Sequence, residues 1–236
     1  MRRLKNAVNQ LGYLNGCAYL LARLLSVISA DRLALHKYYF VAQPVAQKRW
    51  LVARRGASIV VKKISPSDPI INTFPRPQAV IASRFGQGAI CLVALQADEF
   101  IGFLWLTLGP YQEDEVRCRY IPLPKDSTAW DFDVYLHPQH RTGIAFMKLW
   151  DEANSFLTDR QVHWSLSRIS AFNGNSMHAH ARMGARRIGS AVFFSIGTLQ
   201  LSFATVSPYV FVSTRRDCFP IFALDAQRNA SSEPEL

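Results

Sequence analysis

The sequence predicts a mixed α+β domain: a mostly antiparallel sheet of six to seven strands, helices on both faces, and an N-terminal helical extension. Three observations predict it. Ala89 to Leu95 and Phe100 to Leu108 are apolar runs joined by Gln-Ala-Asp-Glu, which is a hairpin signature. From Trp130 onward the periodicity switches as strand-helix-strand-helix-strand-strand, an order that layers helices against a sheet. Ahead of both, residues 1–30 carry one apolar stripe at three- and four-residue steps, as a helix does.

In chain order, the stripe runs through Leu4, Val8, Leu11, Leu14, Ala18, Leu21, Leu25 and Ile28. Residues 17–28 are apolar almost all round, but Arg23 and Ser26 interrupt them, and the run is too short for a membrane span. Met1-Arg-Arg-Leu-Lys before an apolar stretch imitates a signal peptide; Asn15 and Arg23 argue against one. The stripe is expected instead to cover the protein's own body, a second copy in a homodimer, or the inner membrane face as a basic amphipathic helix. Residues 1–56 are taken as this helix and a linker, 57–225 as the functional domain, and 226–236, rich in Ser, Asn, Glu and Pro, as a disordered tail.

Within the domain, Ile59-Val60-Val61 starts a strand and Gln78 to Phe85 a short helix stopped by Gly86. The hairpin follows, its second run apolar on both faces as in a covered sheet. Trp130 to His137 alternates: Trp130, Phe132, Val134 and Leu136 on one face, Asp131, Asp133, Tyr135 and His137 on the other. Pro138 ends it, and Ile144 to Leu157 continues as an amphipathic helix. Val162 to Ile169 is a strand, Ser176 to Met183 a helix closed by Gly184, and Ile188 to Ile196 and Leu199 to Val206 are the last strands. Trp150 and Trp164 fall on core-facing positions.

Composition narrows the function classes. With 49% apolar and 19% charged residues the chain is globular. Cys17, Cys91, Cys118 and Cys218 lie far apart without a CxxC pair, which leaves no recognisable zinc site or disulfide framework and makes a reducing, cytoplasmic compartment the default. The net charge of +10 is spread over scattered basic pairs rather than one run, and no nucleic-acid docking motif accompanies them. No specific nucleic acid is expected; an anionic cofactor or membrane surface accounts for the charge equally well.

The chemistry is concentrated in two segments. In Asp131 to Ala145 a strand runs into a turn, His140-Arg141-Thr142-Gly143-Ile144-Ala145, that opens a helix. Unpaired backbone N–H groups at a helix N-terminus bind phosphate oxygens, and glycine lets the backbone approach or take positive φ. After the next strand comes Asn173-Gly-Asn-Ser176-Met-His-Ala-His180-Ala-Arg-Met-Gly184-Ala185. Together these resemble the GNAT (Gcn5-related N-acetyltransferase) superfamily, with its pyrophosphate turn (Gln/Arg)-x-x-Gly-x-(Gly/Ala) and its later Asn-x-x-Ala-x-x-x-Tyr-x-x-x-Gly-Phe. The resemblance covers Phe132 to Phe194. His140 stands where the family has Gln or Arg, Ser176 where it has Ala, and His180 where it has Tyr.

The resemblance implies an acyl-CoA-dependent N-acyltransferase using acetyl-CoA, which moves the acyl group to an amine of a small molecule or surface precursor by direct attack. It places pantetheine against the backbone around Val134 and Leu136, pyrophosphate on residues 140–145, and Asn173 and Ser176 at the cofactor. His180 is the expected acid for the departing thiolate, and Asp133, with Asp131, the expected base or water-holder. Asp131 and Asp133 are also read as a solvated or salt-bridged strand face, and Glu113-Asp114-Glu115 as a solvated turn or a subsite for a cationic acceptor. No metal ligand set is expected. A non-catalytic acyl-CoA sensor of the same fold and a basic nucleic-acid-binding protein are the alternatives.

Overall fold

In a computed structural model, residues 2–29, 32–52, 54–141 and 143–228 are described. In chain order the elements are α1 (Arg2–Ser29), β1 (Leu33–Pro44), β2 (Ile59–Ile64), α2 (Gln78–Gly86), β3 (Ile90–Gln96), β4 (Glu99–Thr107), β5 (Tyr111–Gln112) and β6 (Arg119–Leu123). Then follow β7 (Thr128–Leu136), α3 (Ile144–Thr158), β8 (Trp164–Ser170), α4 (Gly174–Arg182), β9 (Arg186–Ile196), β10 (Leu199–Ala204), β11 (Val210–Ser213) and β12 (Ile221–Asp225). They divide into two compact units. One holds Pro44–Tyr111 and Pro124–Ser165, the other the described parts of Met1–Gln43, Gln112–Leu123 and Leu166–Leu236.

In the Pro44–Ser165 unit the sheet order is β7-β4-β3-β2, every pair antiparallel. The Gln-Ala-Asp-Glu signature holds: Ala97 and Asp98 both take positive φ, 50° and 63°, the geometry that lets a two-residue loop follow the strands' twist. Cys91, Val93, Phe103 and Trp105 point to one face, where Phe74 and Ile81 of α2 and its approach cover them. Their alternates face α3, whose Leu149, Trp150, Ala153 and Leu157 are buried. Helices therefore cover both faces. Ala46, Trp50 and Leu51 of the expected linker are fastened to α3: Asp151 accepts N–H bonds from Trp50 (2.8 Å) and Leu51 (3.1 Å), and Asn154 accepts from Ala46 (3.3 Å).

In the other unit the order is β11-β10-β9-β1-β8, so the strands exceed the six to seven expected. The additional strand of most consequence is β1, which the sequence assigned to the linker. It pairs antiparallel with β9 from Leu33↔Ile196 to Ala42↔Arg186, and Tyr38, Phe40, Val41 and Ala42 are buried. Its partner lies about 150 residues away, so nothing local marks it. Tyr39 and Val41 meet Ile169, Ala171 and Met177 of the α4 side, while Phe40 meets Tyr120 and Phe222 of a small sheet in which β12 runs parallel to β6. The start of the expected tail is packed: Ala226 is buried, donates its N–H to the Leu123 carbonyl and accepts from Arg186. Residues 229–236 lie outside the described set.

Candidate functional site

The turn after β7 leads directly into the N-terminus of α3. A single 3-10 turn, Pro138–His140, carries the chain from β7 toward α3, and Arg141 donates from Nε to the Leu136 carbonyl (3.0 Å) across that turn. Gly143 is the N-cap at φ 89°, a left-handed conformation that a residue with a Cβ adopts only under strain. Among the described residues no side chain caps the helix, and its first turn holds no acid. Open space surrounds the position a Gly143 Cβ would take. The N–H groups of a fifteen-residue helix are thus presented with no acidic residue in its own first turn. Ile144 is half-buried and Ala145 buried; His140 is half-buried and Arg141 exposed. Thr142 lies outside the described residues.

On β7 the expected alternation breaks. Trp105 faces Asp133 but Leu106 faces Asp131, so Phe132 is an extra residue and the register slips there. Val134 and Leu136 lie beyond the slip, opposite Leu104 and Gly102. Gly102 is required at its place, because a Cβ would meet the Tyr135 carbonyl at 2.5 Å. Asp131 and Asp133 do not act as a pair. Asp131 is 3% exposed and accepts from Ser165 Oγ at 2.7 Å. Asp133 is gripped by two guanidiniums: Arg76 donates from Nε and Nη2 at 2.8 Å each, and Arg84 from Nη1 at 2.7 Å. With its oxygens engaged by both guanidiniums, this carboxylate has the geometry of an anchor that pins α2 to β7.

Asn173 caps α4, its Oδ1 accepting from the Ser176 N–H at 3.1 Å, so the motif's asparagine is in part a helix start signal. Ser176 is half-buried. His180 is buried on the inner side of α4, its Nδ1 3.0 Å from Gln43 Oε1 of β1. Burial lowers its pKa from the ordinary 6.5 to about 4. Burial thus favours the neutral ring at the position where the motif expects an acid. Gly184 follows at φ 81° and closes the helix.

Of the acidic loop, Asp114 and Glu115 are exposed, as in a solvated turn, but Glu113 is not. Glu113 is buried and takes a two-point bond from Arg168 (3.1 and 2.8 Å), whose Nη2 also reaches Glu115 at 2.9 Å. Tyr38 donates to Glu115 at 2.7 Å and lies under the Arg168 guanidinium, and His36 Nδ1 sits 3.2 Å from the Tyr38 hydroxyl. Sequence reading missed Arg76, Arg84, Arg168, His36 and Tyr38. For Arg84 a signal existed, a lone charge in an otherwise apolar helix turn; for the others only the long-range pairings define the partner. Among the described residues no group of three or more His, Cys, Asp and Glu is placed to hold a metal ion.

Element order, antiparallel pairing and helices on both faces of the Pro44–Ser165 sheet agree with the mixed α+β fold expected from the sequence. No protein-family model matches the sequence, and no curated protein matches it. The fold is similar to a functionally unknown conserved protein from Staphylococcus epidermidis ATCC 12228, at a TM-score of 0.50 and 10% identity over 74% of this chain and 67% of that one. A tandem GNAT protein from the clavulanic acid biosynthesis pathway aligns at a TM-score of 0.47 and 14% identity, over 73% of this chain and 58% of that one. An aminoglycoside acetyltransferase from an uncultured soil metagenomic sample aligns at 0.38 and 13%, over 53% and 87%.

Proposed function

We propose that the protein is an acyl-coenzyme A-dependent N-acyltransferase that moves an acetyl group to the amine of a small molecule or surface precursor. The observation that carries this is the N-terminus of α3: uncapped, free of acids, opened by Gly143 at φ 89° and placed directly after β7. Its N–H groups suit a pyrophosphate, with Arg141 and His140 beside them and the backbone of Val134 and Leu136 leading in. Acyl-coenzyme A, when bound, supplies the acyl group as an activated thioester. The chain's own contribution is then to hold and orient both substrates, and N–H groups aimed at a developing oxyanion are the cheapest stabiliser it can offer. Asp133 keeps α2 and β7 in register, and neutral His180 ties α4 to β1.

A charge-isolating pair of variants tests the cradle. Asp and Asn both tolerate positive φ and differ by one charge. Gly143→Asp is expected to raise the acetyl-CoA dissociation constant at least tenfold over Gly143→Asn in calorimetry, with similar melting temperatures. Equal affinities would show that the turn does not hold phosphate.

A second interpretation, a non-catalytic acyl-CoA binder, is favoured by one observation: both expected proton carriers, Asp133 and His180, are engaged in structural bonds. Thiol release with a panel of amines separates the two, since a sensor binds acetyl-CoA without releasing thiol.

A further inference from the structure

α1 is built inside out. Gly12 (φ 73°, ψ 166°) breaks it, and the second part runs to Ser29. Its small and polar positions face the protein: Asn15 accepts from Lys37 Nζ and Tyr39 Oη at 2.9 Å each, Tyr19 meets the edge of Phe172, and Ser29 Oγ accepts from the Leu33 N–H. Its large apolar side chains face away. Tyr13 is 76% exposed, Leu14 79%, Leu21 45%, Leu24 55%, Val27 75% and Ile28 73%. At 100° per residue these fall on one contiguous side of the helix. The stretch Leu11–Ser29 has a mean hydropathy of 1.4 and is 6% buried, so by length and composition it is long and apolar enough to cross a membrane, against the expectation from residues 17–28 alone.

The surroundings identify what covers this side. Residues 1–30 contain Arg2, Arg3, Lys5 and Arg23 and no acid. Arg23 is exposed on the flank of the apolar side, and Arg32 is exposed in the groove where Ile28 meets Leu33 and Ile196. Through that groove the apolar surface continues onto the outer side of β9–β11, where Phe194, Phe203 and Val212 are exposed and lie in neighbouring paired positions. An apolar face rimmed by arginine, on a segment whose residues 1–30 carry basic side chains and no acid, is complementary to an anionic lipid surface. A contiguous patch of this kind on a folded protein marks an interaction site.

We propose that the outward side of α1 seats the protein in the plane of an anionic lipid bilayer. The helix lies in the interface and does not span it, because Asn15, Tyr19 and Ser29 hold its other side on β1 and Phe172. Its length of about 28 Å is then buried along one side among headgroups and the first methylenes.

Flotation of the full chain with vesicles tests this. The wild type is expected to float with phosphatidylcholine vesicles containing phosphatidylglycerol, more weakly with phosphatidylcholine alone, and less at high salt. Leu21→Glu combined with Leu24→Glu is expected to lower partitioning more than tenfold while the melting temperature and the acetyl-CoA affinity stay at wild-type values. A measurement without altering the face uses exposed Cys17, on the same side of the helix, in a Cys218→Ser background. An environment-sensitive dye on Cys17 is expected to shift to the blue when anionic vesicles are added. Wild-type protein that stays with the unbound fraction, or a dye that does not shift, overturns the proposal. If in addition light scattering gives a dimer that the double variant makes monomeric, a second copy covers the face.

Discussion

At the residue scale two side chains depart from the roles their positions suggest, and each departure has a measurable consequence. His180 is held at about 4 by burial, below its ordinary 6.5. Between those values the unfolded chain takes a proton that the folded chain refuses, so the stability present above pH 6.5 is lost as pH falls toward 4. The scale is about 3 kcal/mol. Urea denaturation at pH 7 and pH 4.5 is expected to give a shallower pH dependence for His180→Asn than for wild type. His36, also lowered by burial, remains in both proteins and cancels in the comparison. If turnover is present, it is not expected to fall as pH rises through 6.5 on account of His180. Asp133 gives the second test. Asp133→Asn removes the carboxylate charge that the Arg76 and Arg84 guanidiniums share, Arg84 being 5% exposed, and is expected to destabilise the fold by about 3 kcal/mol. A variant of unchanged stability but lost turnover would make Asp133 the base instead.

At the element scale the β3–β4 hairpin carries a local strain that can be relieved. Ala97 sits at φ 50° in a two-residue loop where glycine or asparagine is preferred. Ala97→Gly is expected to stabilise the protein by about 1 kcal/mol, the approximate cost of holding a Cβ in the left-handed region. Thermal melts of the two proteins check it, and no change would mean that the unfolded chain's added freedom with glycine offsets the relief. Gly143, also at positive φ, is a different case: open space at its Cβ position makes the backbone conformation, and not crowding, the reason for glycine.

Across the whole molecule, a chain of net charge +10 meeting an anionic ligand should show salt-dependent association. Acetyl-CoA association is expected to slow several-fold between low and high ionic strength in stopped flow, with dissociation changing less. Elements whose pattern is local were legible in the sequence. The hairpin, β7, α3, α4 and β9 follow from period and from stop signals such as Pro138 and Gly184, and the turn at Gly143 from the need for a glycine before a helix. What tertiary structure alone decided is whatever depends on a distant partner. β1 becomes a strand only against β9; the slip at Phe132 appears only in the pairing with β4; Asp133 becomes an anchor only when Arg76 and Arg84 arrive from α2 and its approach. The stripe on α1 was legible as apolar, but its direction was not, because periodicity fixes which residues share a side and only packing fixes which side faces inward.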